Sequence, residues 1–234
     1  MTSTLKPIVI LQARCNSRRL PGKVLKKINN IPIIILCVKR LANKGHKVIV
    51  ATSEKKSDDR LVRVLRKNSI KYFRGKLNDV YSRYVNIIKI NNLKEDMLIV
   101  RATGDNILPD GNLINLLTKK IKNKKSDYLK IDTRKHHLPK GFTLEIFKVS
   151  ELLKLNKVKL SKHHLEHVTL KIYENKRKYK NILIKEIRQK KNLTHFRVTI
   201  DKKKDYIFMK NLFKKVKNPY KESSLKILNY LKKE

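Results

Sequence analysis

Short runs of β-favouring apolar residues alternate with stretches whose apolar positions recur every three to four residues, and this rhythm continues through most of the chain. Residues 8–11 (IVIL), bounded by Pro7 and a polar loop, predict a buried central strand. A helix is predicted from Ile31, with Pro32 at its first position and Gly45 at its end. Residues 47–53 (KVIVATS) form a second apolar run. Ser57, Asp58 and Asp59 cap and charge the next helix, whose Leu61, Val64 and Leu65 share one face. A short strand at 71–73 leads through Arg74 and Gly75 to a helix begun by Asp79, and residues 96–102 (DMLIVRA) predict a third strong strand.

The second half is less regular. Residues 127–131 and 142–147 predict strands around a loop holding His136, His137 and Pro139, and helices are expected over 149–156 and from Ser161. Residues 182–187 (ILIKEI) and 195–200 (HFRVTI) predict further strands. Two lysine-rich helices follow, with apolar stripes at Tyr206, Met209, Leu212 and Phe213, then at Leu225, Leu228 and Leu231, suited to a core or a homodimer contact. The sum is a three-layer α/β sandwich with a mostly parallel sheet, read as a single domain over 1–234.

Chemistry concentrates after the first strand. Arg14, Arg18, Arg19 and Lys23 crowd one turn-rich segment, with Ser17 as a hydroxyl donor and Gly22 allowing close backbone approach. Guanidinium forks match phosphate oxygens in pairs and lysine adds a mobile charge, so the loop suits a triphosphate at the carboxyl end of a strand. It is neither a Walker loop nor a dinucleotide fingerprint, since Gly22 is its single glycine. Asp105, past the third strand in RATGDN, can hold Mg²⁺ or cap the strand end as an Asx-turn. Asp201 closes FRVTID in the same manner, so two strand ends can converge on one ion.

The ordered run Q-A-R-x-x-S-x-R-L-P-G-K at 12–23 closely resembles the cytidylyltransferases of spore-coat polysaccharide synthesis, and more loosely the CMP-sialic acid and CMP-Kdo synthetases. Four further blocks resemble the same family in order: F-R-G-x-x-x-D-V-x-x-R from Phe73, R-A-T-G-D from Arg101, P-K-G-F-T-L-E-I-F from Pro139, and E-H-V-T from Glu166, with R-V-T-I-D at the Asp201 end. The resemblance implies a fold of the nucleotide-diphospho-sugar transferase type and Mg²⁺-dependent transfer of CMP from CTP to a sugar acid or related acceptor. It implies catalytic roles for Arg14, Lys23 and Asp105, and metal ligation by Asp105 and Asp201. Nucleotide contacts would come from the backbone at Leu11 and Ala13 and from Arg14, Ser17, Arg19, Lys23, Arg74 and Thr103. The acceptor would meet Glu145, Glu166 and His167. Asn16 and Arg18 stand where the family usually has glycine and threonine, Leu165 where it has arginine, and Leu170 where it has proline.

Composition adds limits. The net charge of +40 in 234 residues invites a nucleic-acid reading, the main alternative. The lysines, however, are spread from end to end and no RNP, KH or zinc-finger pattern occurs, so no specific nucleic-acid partner is expected. His163, Glu166 and His167 fit the inverted zinc-protease pattern H-x-x-E-H, without a clear third ligand downstream. Cys15, beside arginines, is a candidate for a lowered pKa, and Cys37 for a buried small hydrophobe. No apolar run approaches the roughly 20 residues of a membrane span, and MTSTLKP lacks the signal-peptide pattern, so a cytoplasmic location is expected.

Overall fold

A computed structural model describes residues 6–174 and 183–232. The first strand, β1 (Ile8–Gln12), runs into the cationic loop. A two-residue hairpin, β2 (Lys27–Ile28) and β3 (Ile31–Pro32), follows, turning on Asn29 and Asn30 at φ 49° and 60°. Asparagine tolerates this left-handed geometry, which two-residue hairpins require. The expected helix therefore begins later than its pattern suggested. Pro32 caps α1 (Ile33–Ala42) from outside, because Ile31 and Pro32 pair with the preceding arm.

Next come β4 (Val48–Ser53), α2 (Asp59–Lys67), β5 (Tyr72–Gly75), α3 (Val80–Ile90), β6 (Leu98–Thr103) and α4 (Gly111–Asn123). Asp79 caps α3 as expected, accepting from the Ser82 amide at 2.8 Å. Asp58 does not cap α2. Its carboxylate turns inward, accepting from the Cys15 amide at 2.6 Å and from the Ser53 amide and hydroxyl, so it ties the cationic loop to the end of β4.

The remaining elements are β7 (Tyr128–Lys130), β8 (Glu145–Lys148), α5 (Val149–Leu153), α6 (Lys162–His167), α7 (Leu170–Glu174), α8 (Lys203–Lys214) and α9 (Ser224–Leu231). Ser161 opens α6 through a capping box with His164. Two expected strands are corrected. Leu183–Ile187 contains a 3₁₀ turn at Lys185–Ile187, and the Ile184 amide donates to His136 Nε2 at 2.8 Å instead of joining a ladder; Ile182 lies outside the described residues. Residues 195–200 keep the period-2 burial of a strand, with Val198 and Ile200 inside, but make isolated bridges only, Arg197 to Lys140 and Thr199 to Asn106. Among the described residues, no neighbouring strand runs alongside them.

The sheet order is β5-β4-β1-β6-β8-β7, parallel except for β8, which runs antiparallel to both neighbours. Alternate strand residues feed two cores. Val9, Leu11, Val50 and Val100 pack with α1, α2, α4, α8 and α9, whereas Ile8, Ile10, Ile49 and Ile99 pack with α3 and α5. The stripes of α8 and α9 face the core: Met209, Leu212, Phe213, Leu228 and Leu231 are buried, and Tyr206 and Leu225 are partly buried against it.

Candidate active site

The chain winds from β1 outward to β4 and β5, then re-enters at β6 on the other side of β1. Strand order reverses there, and in open α/β sheets the crevice at such a point binds ligands. A cavity of about 650 Å³ opens at this place, walled by the loop after β1, the exit of β6, the start of α3 and the end of α6.

The loop is built to face it. Cys15 O accepts from the amides of Ser17 and Gly22, both at 2.9 Å, which folds the segment back on itself. Gly22 takes φ 64°, the left-handed region open to glycine, and starts the 3₁₀ turn that carries Lys23. Opposite, Gly104 donates to Gln12 O at 2.9 Å, and a Cβ on it would lie 2.9 Å from the Ala13 Cβ. That glycine lets the β1 and β6 exits touch.

Lys23 joins the two carboxylates. Its Nζ lies 3.0 Å from Asp105 Oδ2, 3.1 Å from Asp201 Oδ1 and 2.8 Å from Ile200 O, and the side chain is 12 % exposed. Asp105 Oδ1 accepts from the Thr103 hydroxyl at 2.6 Å. Asp201 also meets Arg19 at 3.3 Å and Arg197 at 3.2 Å. Burial works to raise the Asp201 pKa, but the Lys23 hydrogen bond and the charges of Lys23, Arg19 and Arg197 outweigh it and hold the carboxyl below its usual range.

Ala13, Arg14, Ser17, Arg19, Lys23 and Thr103 all border the cavity, as do Asp105, Asp201, Glu166 and His167. Arg14 reaches across the mouth to Glu166 at 3.2 Å, both side chains about half exposed. His167 is held below the usual imidazole pKa, by burial first and then by its neighbour His163.

Three expected site residues lie elsewhere. Leu11 is fully buried, and its backbone sits in the ladder between β4 and β6, with no free face for a base. Arg74 binds Ser53 O, Lys55 O and Asp59, clamping the β4 exit to α2 instead of lining the cavity. Glu145 is buried against Arg101 at 3.0 Å and accepts from the Thr169 hydroxyl, so it braces the wall behind His167.

Cys15 also departs from expectation: burial first, then Asp58, push its thiol up to about 11. Cys37 is buried, as expected. In the H-x-x-E-H segment, His164 turns to Glu174 and Glu166 to Arg14, and no group of three or more His, Cys, Asp or Glu converges among the described residues. The pattern reading missed Arg197 and the cavity-lining Gln12, whose buried Oε1 has no partner among the described residues. Gln12 is the first letter of the loop motif, and Arg197 lies four residues before Asp201, so both stood within segments already singled out.

Residues 8–233 match the family described as Cytidylyltransferase. The chain belongs to that family. It is a nucleotidyltransferase. It is similar to the spore coat polysaccharide biosynthesis protein SpsF of Bacillus subtilis, 30 % identical over 215 residues, which cover 89 % of this chain and 86 % of that protein. An uncharacterized protein of Methanocaldococcus jannaschii is 34 % identical over 204 residues, covering 86 % and 81 %. Among solved structures, a cytidylyltransferase from Leptospira borgpetersenii superposes with a TM-score of 0.86 at 28 % identity, covering 98 % of this chain and 94 % of that one. The fold is shared with a CMP:2-keto-3-deoxy-manno-octonic acid synthetase complexed with CTP, at TM-score 0.57 and 14 % identity over 90 % and 99 % of the two chains. No helix among the described residues is long and apolar enough to cross a membrane.

Proposed function

We propose that this cytidylyltransferase-family enzyme transfers CMP from CTP to a hydroxyl of a sugar acid or related acceptor, releasing pyrophosphate, in surface polysaccharide synthesis. The observation that carries the reading is the meeting of a cationic loop and two carboxylates at the switch point of the sheet. The SpsF relative supports the polysaccharide setting, and the CTP-bound neighbour shares the fold.

Arg14, Arg19 and Lys23 hold the β- and γ-phosphates, Ser17 and Thr103 offer hydroxyls, and Glu166 and His167 lie on the acceptor side of the cavity. The acceptor hydroxyl oxygen attacks the α-phosphorus in line and gives up its proton to water, the α–β bridging P–O bond breaks, and pyrophosphate carries the displaced electron pair away. The work of the chain is positioning and electrostatics, with no covalent enzyme intermediate. Asp105 and Asp201 fit a Mg²⁺ ion: their oxygens already converge on one cation-sized point at Lys23 Nζ, and Mg²⁺ is usually held by one or two carboxylates with phosphate and water completing its shell. Bound there, the ion would offset charge on the phosphates.

The test incubates the purified chain with each of the four nucleoside triphosphates, Mg²⁺ and a panel of sugar acids, and measures pyrophosphate. Release is expected with CTP and an acceptor together. Equal release from UTP, or none from any pair, would overturn the reading.

A further inference from the structure

We infer that Lys23 is an internal counter-ion that keeps the metal position closed until a nucleotide arrives. The inference rests on the reading of Asp105 and Asp201 as the metal ligands. An ammonium has three N–H donors, and those of Lys23 are directed at Asp105 Oδ2, Asp201 Oδ1 and Ile200 O, at 3.0, 3.1 and 2.8 Å. The other Asp105 oxygen is engaged by the Thr103 hydroxyl and the other Asp201 oxygen by Arg197. Lys23 therefore occupies the point where two carboxylates converge.

Mg²⁺ binds carboxylate oxygens at about 2.0–2.1 Å, and it cannot share these oxygens with an ammonium 3 Å away without severe like-charge repulsion. The tally of formal charge points the same way. Lys23, Arg19 and Arg197 set three positive charges against the two negative charges of Asp105 and Asp201, so the cluster is net positive before any ligand enters. A free divalent cation meets a repelling site; a triphosphate meets an attracting one. Once phosphate oxygens accept from Lys23, its ammonium can leave the carboxylates, and their oxygens become available to a cation that the phosphates also attract. Metal affinity is then conditional on nucleotide, and by linkage nucleotide affinity rises with metal by the same factor. Lys23 is thus a positioning residue for the ion as well as a phosphate contact.

The test titrates Mn²⁺ into the full chain without nucleotide and reads free Mn²⁺ by electron paramagnetic resonance. Lys23→Gln, neutral but still able to donate to the carboxylates, should bind Mn²⁺ at least tenfold more tightly than the wild type. Lys23→Met serves as a second neutral variant if the first does not fold. Lys23→Arg, which keeps the charge, should stay as weak as the wild type. Adding Asp105→Asn to Lys23→Gln should remove the gain, which locates the bound ion. In the wild type, CTP should raise Mn²⁺ binding beyond what CTP chelates in protein-free buffer. Wild-type binding as tight as that of the neutral variants, weakened in both by Asp105→Asn, would overturn the exchange and leave the ligand assignment standing. Mn²⁺ binding indifferent to Asp105→Asn in every background, with CTP present, would defeat the ligand assignment and the exchange with it.

Discussion

Asp105→Asn separates a metal ligand from a turn-forming side chain. The substitution preserves size and one oxygen: turned to the Thr103 hydroxyl, a contact of 2.6 Å, that oxygen leaves an amide donor facing Lys23, and turned to Lys23 it is only a weaker neutral acceptor. Lys23 keeps its other two partners, Asp201 and Ile200 O. The folded protein therefore loses one charge-assisted contact at a partly exposed site, a cost of about 1–2 kcal/mol. At roughly 2–4 °C per kcal/mol for a chain of this size, the melting temperature should fall by about 2–8 °C. Catalysis should respond on another scale. Losing one of two carboxylates that hold charge at the phosphates should cost about 3 kcal/mol or more in the transition state, a fall in kcat of at least about 10². Both quantities can be read on one preparation, pyrophosphate release at saturating CTP, acceptor and Mg²⁺ beside a thermal melt. Turnover within threefold of the wild type in a folded variant would refute the reasoning and shift attention to Asp201.

Arg19, on the rim of the cavity and 61 % exposed, should contribute less to CTP binding than the sheltered Lys23; Arg19→Ala is expected to weaken it by about 1.5 kcal/mol, read by calorimetry, and an effect larger than that of Lys23→Ala would reverse their assigned importance. The fully buried Arg40 donates to Pro219 O, Glu222 O and Leu108 O, so Arg40→Met leaves three carbonyls without this donor and should lower the melting temperature by roughly 10 °C; an unchanged melt would show that this clamp on the C-terminal segment is dispensable. The Asp201 carboxyl is held below its unfolded value, so its stabilising contribution is present above about pH 4 and lost as pH falls through the folded value; Asp201→Asn should flatten the acid limb of a melting-temperature profile, and an identical limb would remove Asp201 as its source.

The alternating α/β architecture, the cationic loop after β1, the caps at Asp79 and Ser161 and the buried stripes of α8 and α9 were legible in the sequence, because each rests on neighbours within a few positions of one another. A strand also needs a partner to complete its ladder, which local alternation cannot supply. Residues 195–200 carry the strand pattern yet cross the end of the sheet through isolated bridges, and Leu183–Ile187 gives an amide to His136 instead. Side-chain roles divided along the same line. Glu145 and Arg74 lie in motif-bearing segments, but the fold turns one toward Arg101 and the other toward Asp59, where nearby opposite charge favours each ion.

The sequence by itself determined the chemical inventory: a phosphate-suited loop, carboxylates placed after apolar runs, and the order of blocks that belongs to a cytidylyltransferase. Tertiary structure alone decided what those groups do to one another before a ligand enters. Asp105 and Asp201 lie 82 and 178 residues from Lys23, and the three meet only because the reversal of strand order brings the β1 and β6 exits together while residues 195–200 cross the end of the sheet. Pairing of charge depends on distance in space and on shelter from water, and neither quantity is written along the chain.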